Sequence, residues 1–276
     1  MHLDEEETVI GGDEPSVAIN DPGEIDRADH GRGDRFVVNL SNVVAWIFPI
    51  LMIAICAQVV LRQAGHNQAW LDDFQWWLYG AAVLVGVAYA VTTDSHVRVD
   101  IFYDNFDEKR KARIDVFALV WCFLPFAILC WDVTLGYAIS SIVADEGSDS
   151  PNGLHNLWIL KTVLNLSFLL IALAIWSMYK RRLKVLMGEE PPLGRKLLYA
   201  LPSTMFVVNL VAYYAIYLYH RAALPEGDNP RTILRKPIFD EIELGPWDIK
   251  YTIIITVVLT IVVIGLALLR DARRAR

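Results

Sequence analysis

Six long apolar runs, at roughly 41–61, 73–93, 116–143, 157–179, 197–219 and 251–269, constrain what this chain can fold into more than any other feature. Each comes close to the ~20 residues that a helix needs to cross ~30 Å of hydrocarbon. Backbone polar groups in lipid must be satisfied within the segment, so runs of this kind are helices, whatever their Val and Ile content. The composition agrees: 55% of the 276 residues are hydrophobic, 21% are charged, and the mean hydropathy is +0.36. The fold class expected is all-α, an integral membrane protein of about six transmembrane helices. Pro49, Pro125 and Pro202 fall inside or near the ends of the runs, where they are expected as tolerated kinks.

Charge sets the expected orientation. With the N-terminus in the cytoplasm, 18 Lys and Arg lie in cytoplasmic tails and connections, including Arg98, Lys109–Lys111, Lys180–Arg182 and Arg270–Arg276. Six lie on the other side: Arg62, Arg221, Arg231, Arg235, Lys236 and Lys250. That bias predicts both termini inside. Connection 144–156 carries acids and no Lys or Arg, which suits the outer side. Trp70, Trp76, Trp77, Trp158 and Trp247 fall near expected outer ends, as interfacial aromatics do.

The net charge of -7 owes much to the first 26 residues, where nine acids mix with Gly and Pro. Residues 1–34 are therefore expected to be a disordered, acidic cytoplasmic tail. A cleaved signal peptide needs a basic start and an apolar stretch, which MHLDEEETVI lacks, so the first span is expected to do the targeting.

Chemistry is sparse. Cys56, Cys122 and Cys130 lie in apolar runs without paired spacing and read as small buried residues, not as a zinc site or a disulfide framework. The six histidines lie in tails, connections or helix ends, so no axial haem pair is suggested. Gly-rich phosphate loops, HExxH and GxSxG are missing, and no basic block suits nucleic acid. The chain is not expected to be an enzyme or to hold a cofactor. Two ionisable groups lie within runs, Asp132 and Lys161, and charge in hydrocarbon is costly. The plainer reading has Lys161 snorkelling to the headgroups and Asp132 facing a protein partner or water.

The most informative stretch begins at Trp70, WLDDFQWWLYGAAVLVGVAYAVTTDSHVRVD. Asp72 and Asp73 open a helix, where carboxylates favour the positive end of its dipole. Gly80, Ala81, Ala82, Gly86, Ala88 and Ala90 are small enough to let another helix approach. The helix runs into His96, Val97, Arg98, Val99 and Asp100, followed by a basic amphipathic stretch. Together with Gly153, Leu154, Trp158 and Lys161 of SPNGLHNLWILK, these residues resemble the small membrane subunit of tripartite ATP-independent periplasmic (TRAP) transporters, the DctQ-like small permeases. The likeness covers roughly residues 36–182 and looks closest to mannitol- or chloroaromatic-type variants. Two departures stand out: the family has four helices where this chain has six runs, and Glu is more usual at the acidic pair.

The resemblance implies three parts. Residues 35–182 would be the four-helix small-permease domain, after the 1–34 tail. Residues 183–276 would add a two-helix hairpin with an outer connection at 220–248. It implies a multi-pass protein of the bacterial inner membrane, with a large membrane subunit and a periplasmic solute-binding protein as partners. The chain would then be a scaffold for sodium-driven uptake of an organic acid or similar solute. Asp72, Asp73, Gly86, His96, Arg98, Asp100, Gly153, Trp158 and Lys161 are its candidate motif and interface residues. A self-sufficient channel or transporter, and the anchoring subunit of a membrane enzyme, are the alternatives.

Overall fold

The computed structural model of the chain describes residues 27–95, 103, 105–189, 191–225, 228–244 and 247–274. Six helical stretches among them are long and apolar enough to cross a membrane: Arg32–Gln63, Ala69–Thr92, Glu108–Val143, Trp158–Met187, Leu201–Ala222 and Tyr251–Arg274. The chain is thus an all-α, multi-pass membrane protein. Each stretch coincides with one apolar run. Several exceed it, because polar turns continue the helix beyond the bilayer.

The first stretch is two helices, α1 (Arg32–Val44) and α2 (Ile47–Gln63), with a turn at Ala45 and Trp46. The segment expected as a tail therefore reaches helix at Arg32, and Arg27–Asp29 form one 3-10 turn. Residues 1–26 lie outside those described. The reason is side-chain pattern: Asp34, Val37, Val38 and Ser41 recur on one face of α1 and are buried there. Asp34 also accepts the Gly31 backbone N–H at 3.0 Å, which satisfies an otherwise orphaned helix-start donor.

Next come α3 (Ala69–Thr92), α4 (Glu108–Phe117), a π-helical segment (Ala118–Phe123) and α5 (Leu124–Val143). Pro49 and Pro202 each stand in the first turn of a helix, where a missing N–H leaves no bond unmade, whereas Pro125 lies within the continuous stretch Glu108–Val143. Ahead of Pro125 the chain takes up the irregularity as π-helix, with the Leu124 N–H donating to the Leu119 carbonyl.

Helix α6 (Trp158–Met187) is the centre of the molecule. At 30 residues it is about 45 Å long, longer than the hydrocarbon is thick, and it ends at Gly188 in the left-handed conformation, φ 76°. It packs against α1, α3, α4 and α5. Ala174, Ile175, Tyr179 and Leu183 are fully buried against Ala88 of α3 and Val120 of the π segment.

The last part begins with short α7 (Leu193–Tyr199), followed by α8 (Leu201–Ala222) and α9 (Tyr251–Arg274). Thr252, Thr256 and Thr260, one turn apart, are buried on α9, and the Thr256 hydroxyl donates to Asn209 of α8 at 3.0 Å. Among the bonds that fasten this part to the rest are those from Ser203 Oγ to the Val120 carbonyl, from Trp121 Nε1 to the Tyr199 carbonyl, from Tyr179 OH to the Lys196 carbonyl and from Tyr214 OH to Asp132. The connection between α8 and α9 carries a two-stranded antiparallel hairpin, Glu241–Leu244 with Trp247–Lys250, in register Ile242↔Ile249. Apolar periodicity gave no sign of it. The cysteines depart from expectation too: Cys56 and Cys122 face outward, and only Cys130 is partly covered. An outward face at membrane depth meets lipid, so a small apolar residue loses nothing there.

Candidate functional site

The acidic pair at the start of α3 divides its work. Asp72 Oδ1 accepts from Gln58 Nε2 at 2.9 Å and from Arg62 Nη2 at 2.9 Å, joining α3 to the end of α2. Asp73 Oδ2 accepts the Leu154 backbone N–H at 2.9 Å, joining α3 to the α5–α6 connection. That connection is held in a fixed course by backbone bonds from Ser148 to Leu154 and from Leu157 to Glu146. Asn152 and Asn156 adopt positive φ, which asparagine tolerates. Gly153 is required by close approach: a β-carbon there would lie 2.6 Å from Asp73 Oδ2 and 2.5 Å from Ser148 Oγ.

Lys161 belongs to the same cluster. Its ammonium bonds both carboxylate oxygens of Glu146, at 2.6 and 2.5 Å, and lies 3.9 Å from the centre of the Tyr137 ring. A local acid and an aromatic face satisfy the charge where it stands, so the side chain need not reach further. The bond from Lys161, assisted by Ser141, holds the Glu146 carboxyl below its ordinary range. Trp158 donates to Asn156 Oδ1 at 3.2 Å, which turns its ring along the same connection. The structure therefore gathers Asp72, Asp73, Gly153, Trp158 and Lys161 at one end of the bundle.

The opposite end holds a second charged cluster that sequence reasoning had counted only as topogenic charge. Arg181 Nε lies 3.4 Å from Asp34 Oδ1, and its Nη2 donates to the Thr92 carbonyl. Arg182 pairs with Asp94 at 2.5 Å and with Asp115 at 3.0 Å, and the Tyr103 hydroxyl donates to Asp115 at 2.9 Å. Two adjacent arginines on α6 thus tie down α1, the end of α3 and the last turn of α4. The consecutive Arg181 and Arg182 were the available signal.

Gly86 stands apart from both clusters. The small residues of α3 divide between two faces: Ala82 and Ala88 are buried within the chain, whereas Gly86 is exposed and a β-carbon there would meet nothing within 4 Å. Gly86 lies in a shallow cleft of about 320 Å³ that also involves Ser41, Phe48 and Tyr89. His96, Arg98 and Asp100 lie outside the described residues. Within the spans, polar groups pair between helices: Asp132 accepts from Tyr214 OH at 2.5 Å, and Asn165 Nδ2 donates to the Trp131 carbonyl at 2.8 Å. No cluster of three His, Cys, Asp or Glu suited to a metal occurs among the described residues.

No curated protein and no solved structure matches the chain. Residues 51–185, just under half of the 276, match the family described as "Tripartite ATP-independent periplasmic transporters, DctQ component"; from α2 to the end of α6 the chain is similar to the small component of these transporters.

Proposed function

We propose that this chain is the small membrane subunit of a TRAP-type secondary transporter and scaffolds a large transport subunit. The match over residues 51–185 carries this reading. The disposition of α3 supports it, since Gly86 is turned outward beside exposed Val83 and Val87. A surface of that kind suits close approach of a helix from another subunit. In the proposed system a periplasmic protein delivers an organic acid or similar solute, and the large subunit moves it inward with sodium. Solute and ions bypass the present chain, whose membrane-embedded acid Asp132 already serves Tyr214.

The function is tested by reconstitution. With the large subunit and the binding protein, sodium-dependent uptake is expected, while vesicles holding this chain alone take up nothing. Asp132→Asn is expected to keep more than half of the uptake, because an amide oxygen can still accept from Tyr214. Abolished uptake in an intact complex would place Asp132 on the transport path and sink the scaffold reading.

We further propose a bacterial inner-membrane location with both termini cytoplasmic, supported by the split of 18 Lys and Arg against six. Reporter fusions after Glu146 and Asp228 are expected to read periplasmic, and those after Lys184 and Arg276 cytoplasmic. A cytoplasmic signal at Asp228 would remove the assignment of the fifth span.

A further inference from the structure

The cleft at Gly86 has two walls of the same pattern. Ala82, Gly86 and Tyr89 line it from α3, and Ser41, Ala45 and Phe48 line it from α1 and α2. Both sets stand at i, i+4 and i+7, so each is one helical face about 10 Å long at ~1.5 Å per residue. The second face carries over the turn at Ala45 and Trp46 without changing direction. At the middle of each wall is a small, exposed residue, Ala45 on one side and Gly86 on the other. Nothing within 4 Å would meet a β-carbon at Gly86, which is the condition for a second helix to bring its backbone close.

Two polar groups in this cleft stand without a partner. Ser41 is 8% exposed, and its hydroxyl makes no hydrogen bond among the described residues. Thr92, Ser167 and Thr260 each return their hydroxyl to the carbonyl four residues earlier, to Ala88, Val163 and Thr256; Ser41 does not. Asn42, beside it, lines the same cleft and is exposed, and its amide makes no hydrogen bond among the described residues either.

The depth of these groups matters. From Phe36 to Leu61 the chain carries no charge, and Ser41 lies ~9 Å along the helix past Arg35. Hydrocarbon offers neither a hydroxyl nor an amide a bond, and leaving one unmade there is costly. A covering of acyl chains would fill the dimple at Gly86 and leave both groups unsatisfied. A helix can do both, because it presents a small residue for close approach and a polar side chain for bonding.

We infer that the cleft seats a transmembrane helix of the large subunit, which crosses α3 at Gly86 with a Gly, Ala or Ser of its own and supplies the hydrogen-bond partners of Ser41 and Asn42. The inference rests on the scaffold reading and deepens it: the contact surface is α1 and α3 together, and the partner segment is polar at one point within the cleft's length.

Titration of the purified large subunit against the full-length chain in detergent tests it. If the unaltered chain does not bind, the scaffold reading fails and this inference with it. Where it binds, Asn42→Leu and Ser41→Ala are each expected to weaken affinity about threefold, and the two together about eightfold, as one and two interhelical hydrogen bonds are lost. Asn42→Gln, which keeps the amide, is expected to bind as the unaltered chain does. The melting point of the isolated chain is expected to stay the same, since Asn42 is exposed and the Ser41 hydroxyl has no bond to lose. Binding within about twofold of the original in the double variant overturns the seat and leaves the scaffold standing. A benzophenone side chain placed at Phe48, which is 53% exposed in the cleft, is expected to crosslink the assembled complex to the large subunit on illumination. Crosslinks to a second copy of this chain, or to lipid alone, overturn the inference. Should either variant lower the folded yield, the crosslink decides.

Discussion

Arg181→Ala is expected to destabilise the folded chain by about 3–5 kcal/mol, the usual cost of removing one partner from a buried ion pair. Asp34 is 1% exposed and would be left with a buried charge facing no cation of its own, and the Thr92 carbonyl would lose its donor. Three elements would loosen together, because the guanidinium joins α1 and α3 to α6 at a single point. Thermal unfolding in detergent, followed by tryptophan fluorescence, should show the midpoint fall steeply for Arg181→Ala and partly recover in Arg181→Ala with Asp34→Asn. The double variant removes the stranded charge. An unchanged midpoint in the single variant would mean that water reaches Asp34 and that the pair contributes little, as pairs at a surface do.

Gly86→Leu is expected to leave the isolated chain folded and to abolish assembly. Within the chain a side chain at this position meets open space, so its own stability should change by no more than a few tenths of a kcal/mol. Against a partner helix, the added bulk would hold two backbones apart by more than a methyl group along a full turn, and close approach is what such interfaces depend on. Recovery of the large subunit in a pull-down, and solute uptake with it, are expected to fall at least tenfold. Ala82→Leu is the informative contrast, since Ala82 is buried within the chain and its enlargement should lower the melting point first. Full recovery of the partner with Gly86→Leu would remove α3 from the proposed interface.

The six spans were legible because burial in lipid requires about twenty apolar residues in succession, a signal that needs no knowledge of neighbours. Side-chain partners were a different matter. In a soluble protein an amphipathic stripe tells which face of a helix turns inward, but a helix apolar all round carries no such stripe, so its rotation is set by packing alone. Nothing in the sequence therefore connected Asp73 with Leu154, or Arg182 with Asp94, across 81 and 88 residues. Arg62 and Asp72, ten apart across a short connection, were within reach of simple reasoning. The reading of Lys161 as a snorkelling residue missed Glu146, because a loop acid fifteen residues upstream becomes a partner only when the connection folds back over α6.

The π-helical segment Ala118–Phe123 sets the phase of everything after it. Asp115 and Thr134 both meet α6, the first through Arg182 and the second through Asn165. Nineteen residues of regular α-helix at ~100° per residue would point these two side chains about 100° apart, and α6 could meet one or the other but not both. A π segment takes one more residue per turn than the helix around it, and so returns about that angle. The irregular turn works as a vernier, a single surplus residue that lets two distant polar couplings come into register on the same face.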